Sequence, residues 1–103
     1  MQVVMSRNGI PIRLTDERWM HIVENHDELA GKREAVLEAV ADTDVILEGS
    51  EGELLAVRFG ERYATITVYK EVSSSDGFMI TAFETSRAQQ LTHSRKILWS
   101  KQQ

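Results

Sequence analysis

The chain has 103 residues, enough for one domain with a single core and too few for a core plus a large internal cavity. Hydrophobic residues make up 42%, ordinary for a globular fold, and the absence of cysteine excludes disulfide and thiolate chemistry and leaves zinc only histidine and carboxylate ligands. The net charge of −4 and a pI near 5.3 argue against a general nucleic-acid binder held by overall electrostatics, although Arg87, Arg95, Lys96 and Lys101 leave the C-terminal segment locally basic.

No apolar run approaches the length of a membrane span, and the N-terminus lacks the basic-then-apolar pattern of a signal peptide. A cytoplasmic protein that does not engage a membrane is the expectation. Residues 2–14 hold two apolar runs separated by Ser6-Arg7-Asn8-Gly9, and Asn-Gly between apolar runs signals a hairpin because both residues tolerate positive φ. Pro11 then falls at an edge or a strand start, where its missing N–H does least harm.

The stretch Arg13–His26, RLTDERWMHIVENH, reads as a strand end followed by a capped helix. Thr15 or Asp16 supplies the N-cap oxygen, and Asp16 and Glu17 put negative charge where the helix dipole favours it. At 100° per residue Trp19, Ile22, Val23 and His26 share one face, with Trp19 and His26 about 20° apart. His21 and His26 lie about 140° apart, so they do not form a metal-binding pair. Asp27–Gly31 breaks the helix, and a second runs from about Lys32 to Ala41 with Val36, Leu37 and Val40 at helical spacing.

From Asp44 the periodicity becomes that of strands. Val45-Ile46-Leu47 is short and buried, Glu48–Gly52 is turn-rich, Leu54–Phe59 is the next strand, and Gly60-Glu61 a tight turn. From Tyr63 to Lys70 one row holds Ala64, Ile66, Val68 and Lys70 and the other Tyr63, Thr65, Thr67 and Tyr69. Ser73–Gly77 is a polar loop, and Phe78, Ile80 and Ala82 then alternate with Met79, Thr81, Phe83 and Thr85. The tail from Ser86 is basic and polar except for Ile97-Leu98-Trp99, which is expected to return to the sheet edge. The expected fold is α+β: two N-terminal helices on one face of an antiparallel sheet of about four to five strands. The other face is expected to be open and to carry Tyr63, Thr65, Thr67 and Tyr69. There is no internal repeat and no glycine-rich phosphate loop.

The residues with chemical reach are few. His26, at a helix C-terminus, reads either as a general acid or base or as a helix-end cap. Lys70 reads as an anion ligand or a solvated strand-end lysine. Thr81, Thr85 and Arg87 share parity on the last strand, as a phosphate cradle or a polar strand exit.

RLTDERWMHIVENH, the helix after it, the strand TITVYK and the closing DGFMITAFETSR together resemble the phage and bacterial nuclease-like domains of the barnase–EndoU–colicin–RelE group. The resemblance spans about residues 12–87, and extends weakly to Ile97–Trp99; residues 88–103 are then a basic tail on a single domain. It implies metal-independent endoribonuclease chemistry without a cofactor, in which a ribose 2′-OH attacks the adjacent phosphate, often in a toxin held in check by an antitoxin or immunity protein. By the resemblance His26 does acid/base work, Lys70 and Arg87 meet the phosphate, and Thr81 and Thr85 position it; His21 ranks lower because it faces away. The alternative is an inactive binding module on the same fold.

Overall fold

The computed structural model describes residues 1–101. The chain opens with two short strands, β1 (Gln2–Met5) and β2 (Pro11–Leu14), paired antiparallel around the Asn8-Gly9 turn. Helix α1 (Asp16–Asn25) follows, its first turn capped by Thr15, whose Oγ1 accepts from the Arg18 N–H at 3.1 Å. A 3-10 turn, Asp27–Leu29, leads to α2 (Arg33–Ala41). Strands β3 (Val45–Glu48), β4 (Leu54–Phe59), β5 (Ala64–Ser73) and β6 (Asp76–Thr85) form an antiparallel meander. Helix α3 (Ala88–Ser94) and strand β7 (Ile97–Ser100) complete the described chain.

The fold is α+β, but not the one expected. The sheet has seven strands in the order β1-β2-β6-β5-β4-β3-β7, and it is mixed, because β2 runs parallel to β6. The chain starts with strands, and the third helix lies near its C-terminus. The additional strands are the edges: the β1–β2 hairpin joins the meander across more than sixty residues of sequence (Ile12 opposite Gly77), and β7 adds to β3. Local periodicity carries no information about which distant segments pair. The segment read as a basic tail thus holds a helix that was not expected, α3, and the strand β7, where Ile97-Leu98-Trp99 returns to the sheet edge as expected.

Gly77 allows the parallel contact. A Cβ there would lie 2.6 Å from both the Lys70 carbonyl oxygen and Ile12 Cδ1, so only glycine fits. Beside it Arg13 grips Asp76 through two hydrogen bonds of 2.9 and 3.1 Å. The sheet is strongly curled: Arg7, in the turn at one edge, lies over the Trp99 ring in β7 at the other, 4.7 Å from its centroid.

Core residues occupy both faces. Helices α1 and α2 pack Ile22, Val36, Leu37 and Val40 onto Ile12, Leu14, Ala56, Tyr69, Met79 and Ala82. On the reverse face Leu47, Leu55, Val57, Ile66 and Val68 meet Ala88 and Leu91 of α3. The row expected to be open is therefore reversed at its centre: Thr67 and Tyr69 are 0% and 1% exposed, under the helices. Thr67 Oγ1 donates to the Val36 carbonyl at 2.9 Å, which satisfies a hydroxyl that would otherwise be costly to bury. No helix among the described residues is long and apolar enough to cross a membrane.

Candidate functional site

Strand β6 has a strand on each side only at its start. Its pairing with β2 covers Gly77 and Phe78, while β5 continues alongside to Thr85. The end of α1 and the 3-10 turn lie along the outer edge of the second half. There the Glu84 N–H donates outward to Glu28 Oε2 at 3.4 Å, and Lys32 Nζ meets the Glu84 carboxylate at 2.9 Å.

His26 sits at this edge. Its backbone N–H donates to the Ile22 carbonyl at 2.8 Å and ends α1, and its φ of −138° turns the chain out of the helix. The side chain is 34% exposed, with Nδ1 3.7 Å from Glu28 Oε2 and the ring centroid 6.1 Å from that of Phe83. Glu28 thus lies close to both the imidazole and the β6 backbone. The other motif residues divide as the helical wheel expects. Ile22 is buried, Trp19 packs on the core with the Arg33 guanidinium 5.9 Å from its ring, and His21 is exposed.

Four of the five residues singled out from sequence gather around Phe83. Thr81, Phe83 and Thr85 share one row of β6, facing Val68, Ile66 and Ala64 across the sheet. Thr85 Oγ1 accepts from the Arg87 N–H at 3.0 Å, fixing the chain where it leaves β6 for α3. Thr85 and Arg87 line a shallow hollow of about 370 Å³ with Phe83 and Leu91. His26 borders the same phenyl ring from the edge.

Lys70 lies elsewhere. It pairs with Phe78, whereas Thr85 pairs with Ala64, six residues further along β5. At about 3.3 Å per residue that separation is about 20 Å. Its surroundings are the β3–β4 turn, where the Glu53 carboxyl is held below its usual range first by the Glu51 and Glu53 backbone N–H groups and then, against a small cost of burial, by the charges of Arg95 and Lys70.

Sequence reasoning missed Glu28 and Phe83. Glu28 falls in the stretch read only as a helix break, and Phe83 alternates as any strand aromatic does. The spacing of His26 and Glu28 across a helix end was the one available signal. No family model, curated protein or solved structure matches the chain.

Proposed function

We propose that this protein is a metal-independent endoribonuclease acting at the second half of β6. The observation that carries the reading is the His26 imidazole, backed by Glu28 at 3.7 Å, set against Phe83 on the row that holds Thr81 and Thr85, beside Arg87. His26 takes the proton from a ribose 2′-OH, with the Glu28 carboxylate beside Nδ1 helping to orient the ring. The 2′-oxygen attacks phosphorus, the bond to the 5′ oxygen breaks, and water returns a proton to that oxygen, leaving a 2′,3′-cyclic phosphate. Arg87 and the Thr85 hydroxyl face the charge that builds on the phosphoryl oxygens, and Thr81 positions the strand. A base lies against Phe83. Lys70 is too far away to share in this chemistry. Control by an antitoxin or immunity protein and residence in the cytoplasm belong to the same proposal.

A second reading, an inactive interaction module, draws on the separation of Lys70 and on the exposed Phe59 and Tyr63. One experiment separates the two. Purified wild-type and His26→Ala protein are incubated with total RNA in EDTA, and the products are mapped. Cleavage that leaves cyclic phosphate ends and disappears in the variant supports the ribonuclease. Equal cleavage by both removes His26 from the mechanism, and no cleavage by folded wild type favours the module.

A further inference from the structure

The hollow beside Phe83 does not end at Arg87. Thr85 and Arg87 also line a second hollow of about 390 Å³, whose far wall is the β4–β5 turn with Phe59, Glu61, Arg62 and Tyr63. That turn is rigidly built. The Gly60 N–H donates to the Tyr63 carbonyl at 3.0 Å, and a Cβ on Gly60 would lie 2.6 Å from the same oxygen. The turn presents two aromatic side chains to solvent, Phe59 at 46% and Tyr63 at 55% exposure.

This hollow brings two cations without an ion pair to one place, although Arg7, Arg18, Lys70, Arg95 and Lys96 also form none among the described residues. Arg13, Arg33 and Arg58 each pair with a carboxylate, as do Lys32 and Lys101. Arg62 and Arg87, which both line the hollow, form no ion pair among the described residues. Glu61 shares the rim without pairing with either. In a chain of net charge −4, two uncommitted guanidiniums beside exposed aromatic rings match a ligand with alternating anionic and planar groups.

We infer that this second hollow binds the nucleotide next to the scissile one in single-stranded RNA, its base stacked on Tyr63 and its phosphate held by Arg62 together with Arg87. The inference rests on the ribonuclease reading for the position of the scissile phosphate, but its test does not depend on cleavage. Paired RNA is a poor fit, because stacking on Tyr63 requires a base free of its partner.

The test is fluorescence anisotropy of the full chain with a labelled RNA hexamer carrying 2′-O-methyl groups, which cannot be cleaved by 2′-OH attack. Arg62→Ala and Tyr63→Ala, both exposed and checked for unchanged thermal unfolding, are each expected to weaken binding about tenfold. Arg62→Ala should also lower the slope of log affinity against log salt by about 0.7, the loss of one phosphate contact on a single strand. Glu61→Gln should tighten binding about twofold by removing a like charge from the rim. Wild-type affinity in both Arg62→Ala and Tyr63→Ala overturns the inference, as does failure of the wild type to bind the hexamer, which would assign the groove to a protein partner. Failure of the catalytic reading looks different: the hexamer binds with this dependence on Arg62 and Tyr63, and unmodified RNA is left intact.

Discussion

Strand β6 passes through two unlike neighbourhoods. Where Gly77 and Phe78 pair with β2, it has a strand on either side, a bidentate Arg13–Asp76 clamp and a glycine that admits no side chain. From Met79 to Thr85 it has β5 alone, and its outer edge is closed by side chains from the end of α1 and the 3-10 turn. The first half is fixed by backbone and can accept little change. The second half keeps its backbone ladder to β5 but is covered on the outer side by side chains, and this is where the imidazole, two hydroxyls and the Arg87 guanidinium, which has no ion pair among the described residues, collect. An edge with unpaired backbone groups must be covered by something, and a cover made of polar side chains is also a place where chemistry can be assembled.

The two halves of β6 differ most at His26. His26→Ala is expected to lower RNA cleavage by about a hundredfold or more, the usual contribution of a general base, with little change in the unfolding midpoint because the backbone cap does not need the ring. Steady-state cleavage alongside thermal melts checks both halves of that statement. A large loss of stability with proportionate loss of activity would make His26 a packing residue and erase the distinction between the two halves.

At the other half the expectation is reversed. Gly77→Ala forces a methyl to within 2.6 Å of the Lys70 carbonyl, which is backbone and cannot swing aside. A cost of about 2–3 kcal/mol follows, roughly 10–20 °C in Tm for a domain of this size. Residual activity, measured well below the lowered Tm, should stay near wild type. Between the two lies the buried hydroxyl under α2. Thr67→Val keeps the volume and removes the bond to the Val36 carbonyl, for about 1 kcal/mol in denaturant unfolding, with cleavage untouched.

These residues also show how far the sequence could be read. The boundaries of α1, α2, β3 and β4 follow from caps and apolar spacing, and the His21/His26 division follows from the helical wheel. The closing of the sheet does not. Nothing local says that Ile12 lies opposite Gly77, and Ser73–Gly77 reads as a polar loop, whereas Ser73 belongs to β5 and Asp76 and Gly77 to β6. The faces of β5 were also ambiguous, because both rows are amphipathic: Ile66 and Val68 suggest core and are buried, yet Thr67 and Tyr69 are buried too, Thr67 with its hydroxyl on a helix carbonyl. The helix at Ala88–Ser94, which covers the Ile66 row, is rich in glutamine, serine and threonine and gives a weak helical signal. Thr81 and Thr85 were legible as a pair because they follow one another on a single strand, whereas Arg87, expected on the same strand, lies beyond its end at the start of α3. Lys70 joined them only by type of residue, since its distance depends on strand register.

The smallest expected effect is therefore the most discriminating. Lys70 shares the sheet face of Thr81 and Thr85, carries the right charge and sits on the strand next to theirs. If proximity of charge along a face were enough, Lys70→Ala should cost as much as Arg87→Ala. The register instead puts it opposite Phe78, about 20 Å from Thr85, near Glu53 and Arg95. At that range an exposed charge is screened over about two Debye lengths in physiological salt, leaving almost nothing to act on a phosphorane. Lys70→Ala should thus change cleavage by less than twofold while Arg87→Ala lowers it at least tenfold, compared under one buffer and one RNA. Equal losses in the two variants would mean that the pinned half of β6 belongs to the active surface, and that the boundary drawn at Met79 separates two kinds of packing but not structure from function.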